Sequence, residues 1–193
     1  MKGMYSGLLL AMICLNLAAA ETNGWDAVRD ERLQVLVNET ARAALTNFAA
    51  KKITSNQLAI TLIDLRDPAA RKFGSFRGDA PIYPASVVKL FYLAAAHRWM
   101  EDGKLRDSEE LQRALRDMIV ESSNDATHYV LDAVTDTTSG PELPEPEMRA
   151  WGEKRNAVNR YFTSLGYIQI NAVQKPWCEG PYGRERQGAG TEF

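Results

Sequence analysis

The sequence predicts an α/β chain of the α+β sandwich type, and three observations predict it. Two short strand patterns lie close together early in the chain, and a block of helix-period segments follows them. The composition is that of a folded domain: of 193 residues, 45% are hydrophobic and 25% charged. That length suits one domain of ordinary size.

The first twenty residues stand apart. Lys2 is their only charge, and the apolar stretch from Leu8 ends in Ala18-Ala19-Ala20 before Glu21. This is the order of a cleaved signal peptide: a basic start, an apolar middle and small residues at the cut. A membrane span needs about 20 apolar residues, and Tyr5, Ser6 and Asn16 interrupt this run. The expectation is therefore a signal peptide over residues 1–20. The mature part, 21–193, is expected to be exported to the periplasm or the cell exterior, with no membrane span after cleavage. Cys14 leaves with the signal, so Cys178 stands alone and no internal disulfide is expected.

From Trp25 to about Ala50, Val28, Leu33, Leu36, Val37, Ala41, Ala44, Leu45 and Phe48 recur at helical steps, which predicts an amphipathic helix. Gln57 to Leu65 is β-rich and Asp67-Pro68 stops it; Phe73 to Arg77 completes a hairpin. Pro84 opens a helix from Ala85 to Glu101, and Gly103 ends it. Ser108 caps the next helix, with Leu111, Leu115, Met118 and Ile119 inward. After a break at Glu121-Ser122-Ser123-Asn124, a helix runs from Asp125 to Thr135. Thr137 to Pro146 reads as linker, Glu147 to Leu165 as one helix, and Tyr167 to Val173 as a short strand in a Gly- and Pro-rich tail.

Charge narrows the partners. The formal net charge is -2 and no basic stripe exists, which argues against nucleic acid. His97 and His128 lie 31 positions apart and no Cys accompanies them, so no metal and no cofactor is expected; both histidines read as surface or packing residues.

The chemistry sits in two motifs. In Pro84-Ala85-Ser86-Val87-Val88-Lys89-Leu90, Ser86 and Lys89 are three apart and share a helix face. A serine hydroxyl is a weak nucleophile until a neighbour takes its proton, and a partly desolvated amine can take it. Ser86 falls in the first turn, where free N–H groups favour developing negative charge and its own amide is half of an oxyanion hole. The apolar run Leu90 to Ala96 predicts a buried central helix. In Ser122-Ser123-Asn124, Ser122 is placed to pass a proton to a leaving nitrogen and Asn124 to hold a substrate carbonyl. Ser122-x-x-Asp125 also reads as a helix capping box, and the two readings do not exclude each other.

Together these segments resemble the class A β-lactamases and penicillin-binding proteins, with their Ser-x-x-Lys, Ser-Asp-Asn and Lys-Thr-Gly elements. Ser123 stands where class A enzymes usually carry Asp. Phe76-Arg77-Gly78-Asp79 and Asn156 to Phe162 add to the likeness, which covers roughly residues 24 to 187. The resemblance implies a β-lactamase/transpeptidase-like fold, with a helical lobe beside the N-terminal part of an antiparallel sheet. It implies Ser86 acylated by a small-molecule substrate, a β-lactam or an acyl-D-alanyl peptide. Lys89 is then the proton acceptor, Ser122 the shuttle and Asn124 a substrate ligand.

The chain departs from that pattern. No Lys-Thr-Gly-type string follows Asn124; the nearest, Thr138-Ser139-Gly140, lacks the cation and lies in the linker. The third element and the C-terminal strands are expected beyond Phe193, so the chain is expected to be a fragment with little or no activity of its own. Glu179 and Glu185 lie where class A enzymes carry a deacylating glutamate, but neither has the accompanying Asn; loop-surface carboxylates are the plainer reading. The expected activity is β-lactam hydrolysis. Its alternatives are a DD-peptidase or penicillin-binding protein, an esterase, or a non-catalytic secreted binding domain.

Overall fold

The computed structural model describes residues 27–176 and 180–188. The signal peptide, Cys14, Cys178 and Glu179 lie outside the described residues. The described elements form an α+β chain, seven helices with a small mixed sheet. The chain divides at Gly78–Asp79 into two compact units.

The first unit holds β1 (Val28–Arg29), α1 (Glu31–Asn47), β2 (Ile60–Asp64) and β3 (Lys72–Phe76). The hairpin of the sequence reading is present: β2 and β3 pair antiparallel, with Leu62 opposite Gly74. The helix, however, starts at Glu31 and not at Trp25. Val28 and Arg29 instead pair parallel with Lys72 and Phe73, giving the order β1-β3-β2. Asp30 decides the boundary, because its extended backbone and carboxylate cap the helix by accepting from the Arg32 and Leu33 amides.

β1 is too short to pair the whole edge of β3, and a glutamine finishes the ladder. The Gln34 side-chain amide donates to Ser75 O at 3.0 Å and accepts from Ser75 N at 3.2 Å. An exposed strand edge leaves such groups unpaired; here one side chain satisfies both. Val37 and Ala41 are buried under α1, whereas Leu36 and Phe48, expected inward, stay about half exposed.

The second unit is helical: α2 (Val88–Glu101), α3 (Glu109–Val120), α4 (Asn124–Thr135), α5 (Glu147–Arg155), α6 (Ala157–Ser164) and α7 (Gly183–Gly188). A 3₁₀ turn over Ala85–Val87 precedes α2. α4 packs against α2, α3 and α6. Tyr92, Leu111, Met118, Val130, Leu131 and Val158 fill the core and are at most 2% exposed. Phe91 meets Phe162 edge-on at 5.1 Å between ring centres and Trp99 meets Tyr161 at 5.3 Å, which seams α2 to α6.

Four expectations need correction here. Ile119 is not inward; it is 38% exposed, because Leu111, Ala114, Leu115 and Met118 already complete the buried stripe of α3. α2 is not buried all round: Leu90 is 55% exposed while Lys89 beside it is 2% exposed. The helix expected from Glu147 to Leu165 breaks at Asn156 into α5 and α6. The strand expected at Tyr167 to Val173 is irregular chain, and α7 appears where only loop was expected. No described helix is long and apolar enough to cross a membrane.

Gly74 marks the tightest approach of sheet and helix. A β-carbon there would sit 2.5 Å from the Leu33 carbonyl carbon and 2.6 Å from Gln34 N, both backbone atoms that no rotamer change can move. Gly74→Ala is therefore expected to cost at least about 1–3 kcal/mol, the usual range for overpacking. Urea unfolding followed by far-ultraviolet circular dichroism checks this; an unchanged midpoint would show that α1 does not pack on β3 this closely.

Candidate functional site

Pro84 ends an exposed approach, Ile82-Tyr83-Pro84, and the chain turns at once into the 3₁₀ turn that carries Ser86. Ala85 holds a φ of 46°, in the left-handed region where a β-carbon is crowded. Such a residue costs on the order of 1–3 kcal/mol and persists only where its surroundings over-determine it. Ser86 is exposed, and its amide lies in the first turn, where N–H groups lack acceptors within the helix.

Lys89 is drawn the opposite way. Its ammonium donates to Ser122 O at 2.5 Å, to Ser122 Oγ at 3.0 Å and to Asn124 Oδ1 at 3.0 Å. Three donors thus meet three acceptors. No carboxylate pairs with it among the described residues, and burial pushes its pKa below the ordinary lysine value.

The loop between α3 and α4 makes this possible. Ser122 takes a φ of 50°, which turns both its carbonyl and its hydroxyl toward Lys89. The cap of α4 is Ser123, whose Oγ accepts from the Ala126 amide at 3.1 Å, and Thr127 Oγ1 donates to Ser123 O at 2.6 Å. The capping reading of Ser122 is corrected: capping falls to Ser123, which leaves Ser122 for Lys89. Asn124 opens the helix.

The structure thus brings Lys89, Ser122 and Asn124 into contact, with Ser86 three residues before Lys89 at the surface. It places Glu185 elsewhere. Glu185 is 5% exposed, not on a loop surface, and its Oε1 accepts from Arg155 Nη2 at 2.7 Å and Ser139 Oγ at 2.9 Å, with Lys175 Nζ at 3.3 Å. Asp132 completes this cluster, bonded to Arg155 at 2.9 Å and Lys175 at 2.6 Å. Glu179 lies outside the described residues.

Sequence reasoning missed this second cluster, and its members give no local signal: Asp132, Ser139, Arg155, Lys175 and Glu185 span more than fifty positions. It also missed Tyr92, whose hydroxyl donates to Gln174 O at 2.6 Å, and the bond of His128 Nε2 to Pro176 O at 2.9 Å. Among the described residues no group of His, Cys, Asp or Glu is arranged to hold a metal ion. Comparison of the chain with protein-family models, with curated proteins and with solved structures returned no match.

Two outcomes follow from the site geometry. Ser123→Ala removes a helix cap and is expected to cost about 0.5–2 kcal/mol; thermal melts of wild type and variant measure it, and an unchanged midpoint would put the cap in doubt. Lys89 has a lower pKa folded than unfolded, so between its folded value and about 10.5 the unfolded chain binds more protons. Stability is therefore expected to rise with pH across that window and to do so less in Lys89→Met. Urea unfolding at several pH values measures both slopes, and identical slopes would argue against a desolvated amine.

Proposed function

We propose that the helical unit carries the acyl-transfer site of an exported serine hydrolase that acts on β-lactams. The observation that supports this most is the buried Lys89 amine held against Ser122 Oγ and Asn124 Oδ1, one turn after an exposed serine. Amines are useful general bases only when deprotonated, and desolvation brings the neutral form into reach.

In this reading Ser86 Oγ attacks the lactam carbonyl carbon and its proton passes to neutral Lys89 Nζ. The C–N bond of the ring then breaks. The nitrogen receives a proton from Ser122 Oγ, which Lys89 replenishes, and the acyl group stays on Ser86. Asn124 is the substrate ligand that the resemblance implies, and its Oδ1 faces Lys89. Water releases the acyl group when a base activates it. The leader-like residues 1–20 support an exported location.

A specific observation favours a second reading, a penicillin-binding protein whose acyl-enzyme persists. Glu185 is committed to Arg155, Ser139 and Lys175, which removes one candidate for the deacylating base. A DD-peptidase, an esterase and a non-catalytic binding domain are the remaining alternatives.

Incubation with millimolar penicillin, read by intact mass, tests the nucleophile. Any adduct the wild-type chain forms is expected to carry the whole mass of the lactam, and Ser86→Ala is expected to form none. Acylation is expected to quicken as pH rises toward the Lys89 pKa. Equal labelling of both chains overturns the assignment of Ser86. Loss of the adduct on removing excess penicillin favours hydrolysis, and a stable adduct favours the penicillin-binding reading.

A further inference from the structure

The irregular chain after α6 is held more firmly than its lack of secondary structure implies. Ala172 is 1% exposed, and its amide donates to Asn159 Oδ1 at 2.7 Å. Each of the next anchored residues is tied to a different place. Gln174 O takes the Tyr92 hydroxyl at 2.6 Å, and Pro176 O takes His128 Nε2 at 2.9 Å. A carbonyl only accepts, so the histidine carries its hydrogen on Nε2 in this bond. Between them Lys175 Nζ reaches Asp132 at 2.6 Å and Ser139 at 2.7 Å.

The positions of these anchors are informative. Tyr92 follows Lys89 by three residues on α2, and His128 follows Asn124 by four on α4. Both spacings are one helical turn on the same face. The two anchors therefore lie one turn behind Lys89 and Asn124, and they end on carbonyls two residues apart in one strap. The strap spans α2 and α4 beside the contact at which those helices exchange the lysine hydrogen bonds.

We infer that Gln174–Pro176 is a cross-tie that sets the spacing of Lys89 from Ser122 and Asn124, with Tyr92 and His128 as positioning residues. The inference rests on the functional reading above only for its consequence in catalysis. The geometric margin is small: the three Lys89 bonds span 2.5–3.0 Å, and at about 3.6 Å a hydrogen bond is gone. The ties are also unequal. α4 holds the strap twice, through His128 and through Asp132 with Lys175, whereas α2 holds it through Tyr92. Tyr92 is fully buried and burial raises its pKa, so the hydroxyl keeps its proton and remains a donor.

The test titrates Lys89 directly, by heteronuclear NMR of its labelled side chain in the full chain. Tyr92→Phe keeps the ring and removes the tie. It is expected to move the Lys89 titration up toward the ordinary lysine value, as water enters the loosened contact, and to slow acylation of Ser86 about tenfold or more. His128→Leu is expected to move it less, because Asp132 still holds the strap, and His128→Gln to restore it, because a glutamine amide can donate to Pro176 O. Ser108→Ala, which loses the cap bond to Leu111 N and takes no part in the strap's hydrogen bonds, controls for general destabilisation. A Tyr92→Phe titration equal to wild type, or an equal shift in Ser108→Ala, overturns the cross-tie. A wild-type chain that penicillin never acylates overturns the functional reading alone, since the titration still reports on the tie.

Discussion

A lysine amine taken out of water has to recover its hydrogen bonds from the protein, and much of the helical unit is arranged around that requirement at Lys89. The acceptors are one carbonyl, one hydroxyl and one amide oxygen. None carries a charge, so the amine gains hydrogen bonds without the Coulombic support that holds a buried lysine protonated. A carboxylate in the same place would make it an ion pair; with neutral acceptors alone, burial keeps its pKa below the ordinary lysine value. Satisfying all three from one short loop needs Ser122 in a left-handed conformation, a strain the packing of α3 and α4 sustains.

The same unit holds two other buried cations, and it treats them in the opposite way. Arg155 and Lys175 face Asp132 and Glu185, two positive groups against two negative ones. Such a cluster survives because each member is paired, and removing one partner typically costs about 3–5 kcal/mol by leaving a buried charge alone. Arg155 Nη1 has no hydrogen-bond partner among the described residues, but the guanidinium lies 4.5 Å from the centre of the Trp151 ring, whose face offers a favourable potential. Lys89 and Lys175 are thus buried lysines with different chemistry: one is neutralised by carboxylates and locks the strap, the other is solvated by dipoles.

Local chemistry announced much of this. The strand pair, the caps at Ser108 and the break at Glu121 to Asn124 follow from short-range rules, and so does the three-residue step from Ser86 to Lys89. The first helix starts later than its period predicts because Val28 fits both the helical period and a strand. Asp30 and the waiting edge of β3 settle the matter, and the second of these lies more than forty positions away. Ile119 and Leu90 were expected inside on periodicity alone, yet which apolar residues of a stripe are covered depends on how wide the neighbouring helices are. In the sequence Ser122 reads as the cap, and only the backbone geometry gives the cap to Ser123.

What the sequence by itself determined is therefore the set of local elements and the candidate chemistry: a serine after a proline, a lysine one turn on, and a polar break between helices. Those depend on contacts within a few residues, where side-chain type and spacing suffice. The tertiary structure alone decided that Lys89 is dehydrated, that Ser122 and not Ser123 meets it, and that Glu185 is locked to Arg155 and Lys175. The Lys89–Ser122 and Arg155–Glu185 contacts join residues thirty or more positions apart. Their pairing is set by how the helices pack, and packing is a property of the whole apolar surface and not of any short string within it.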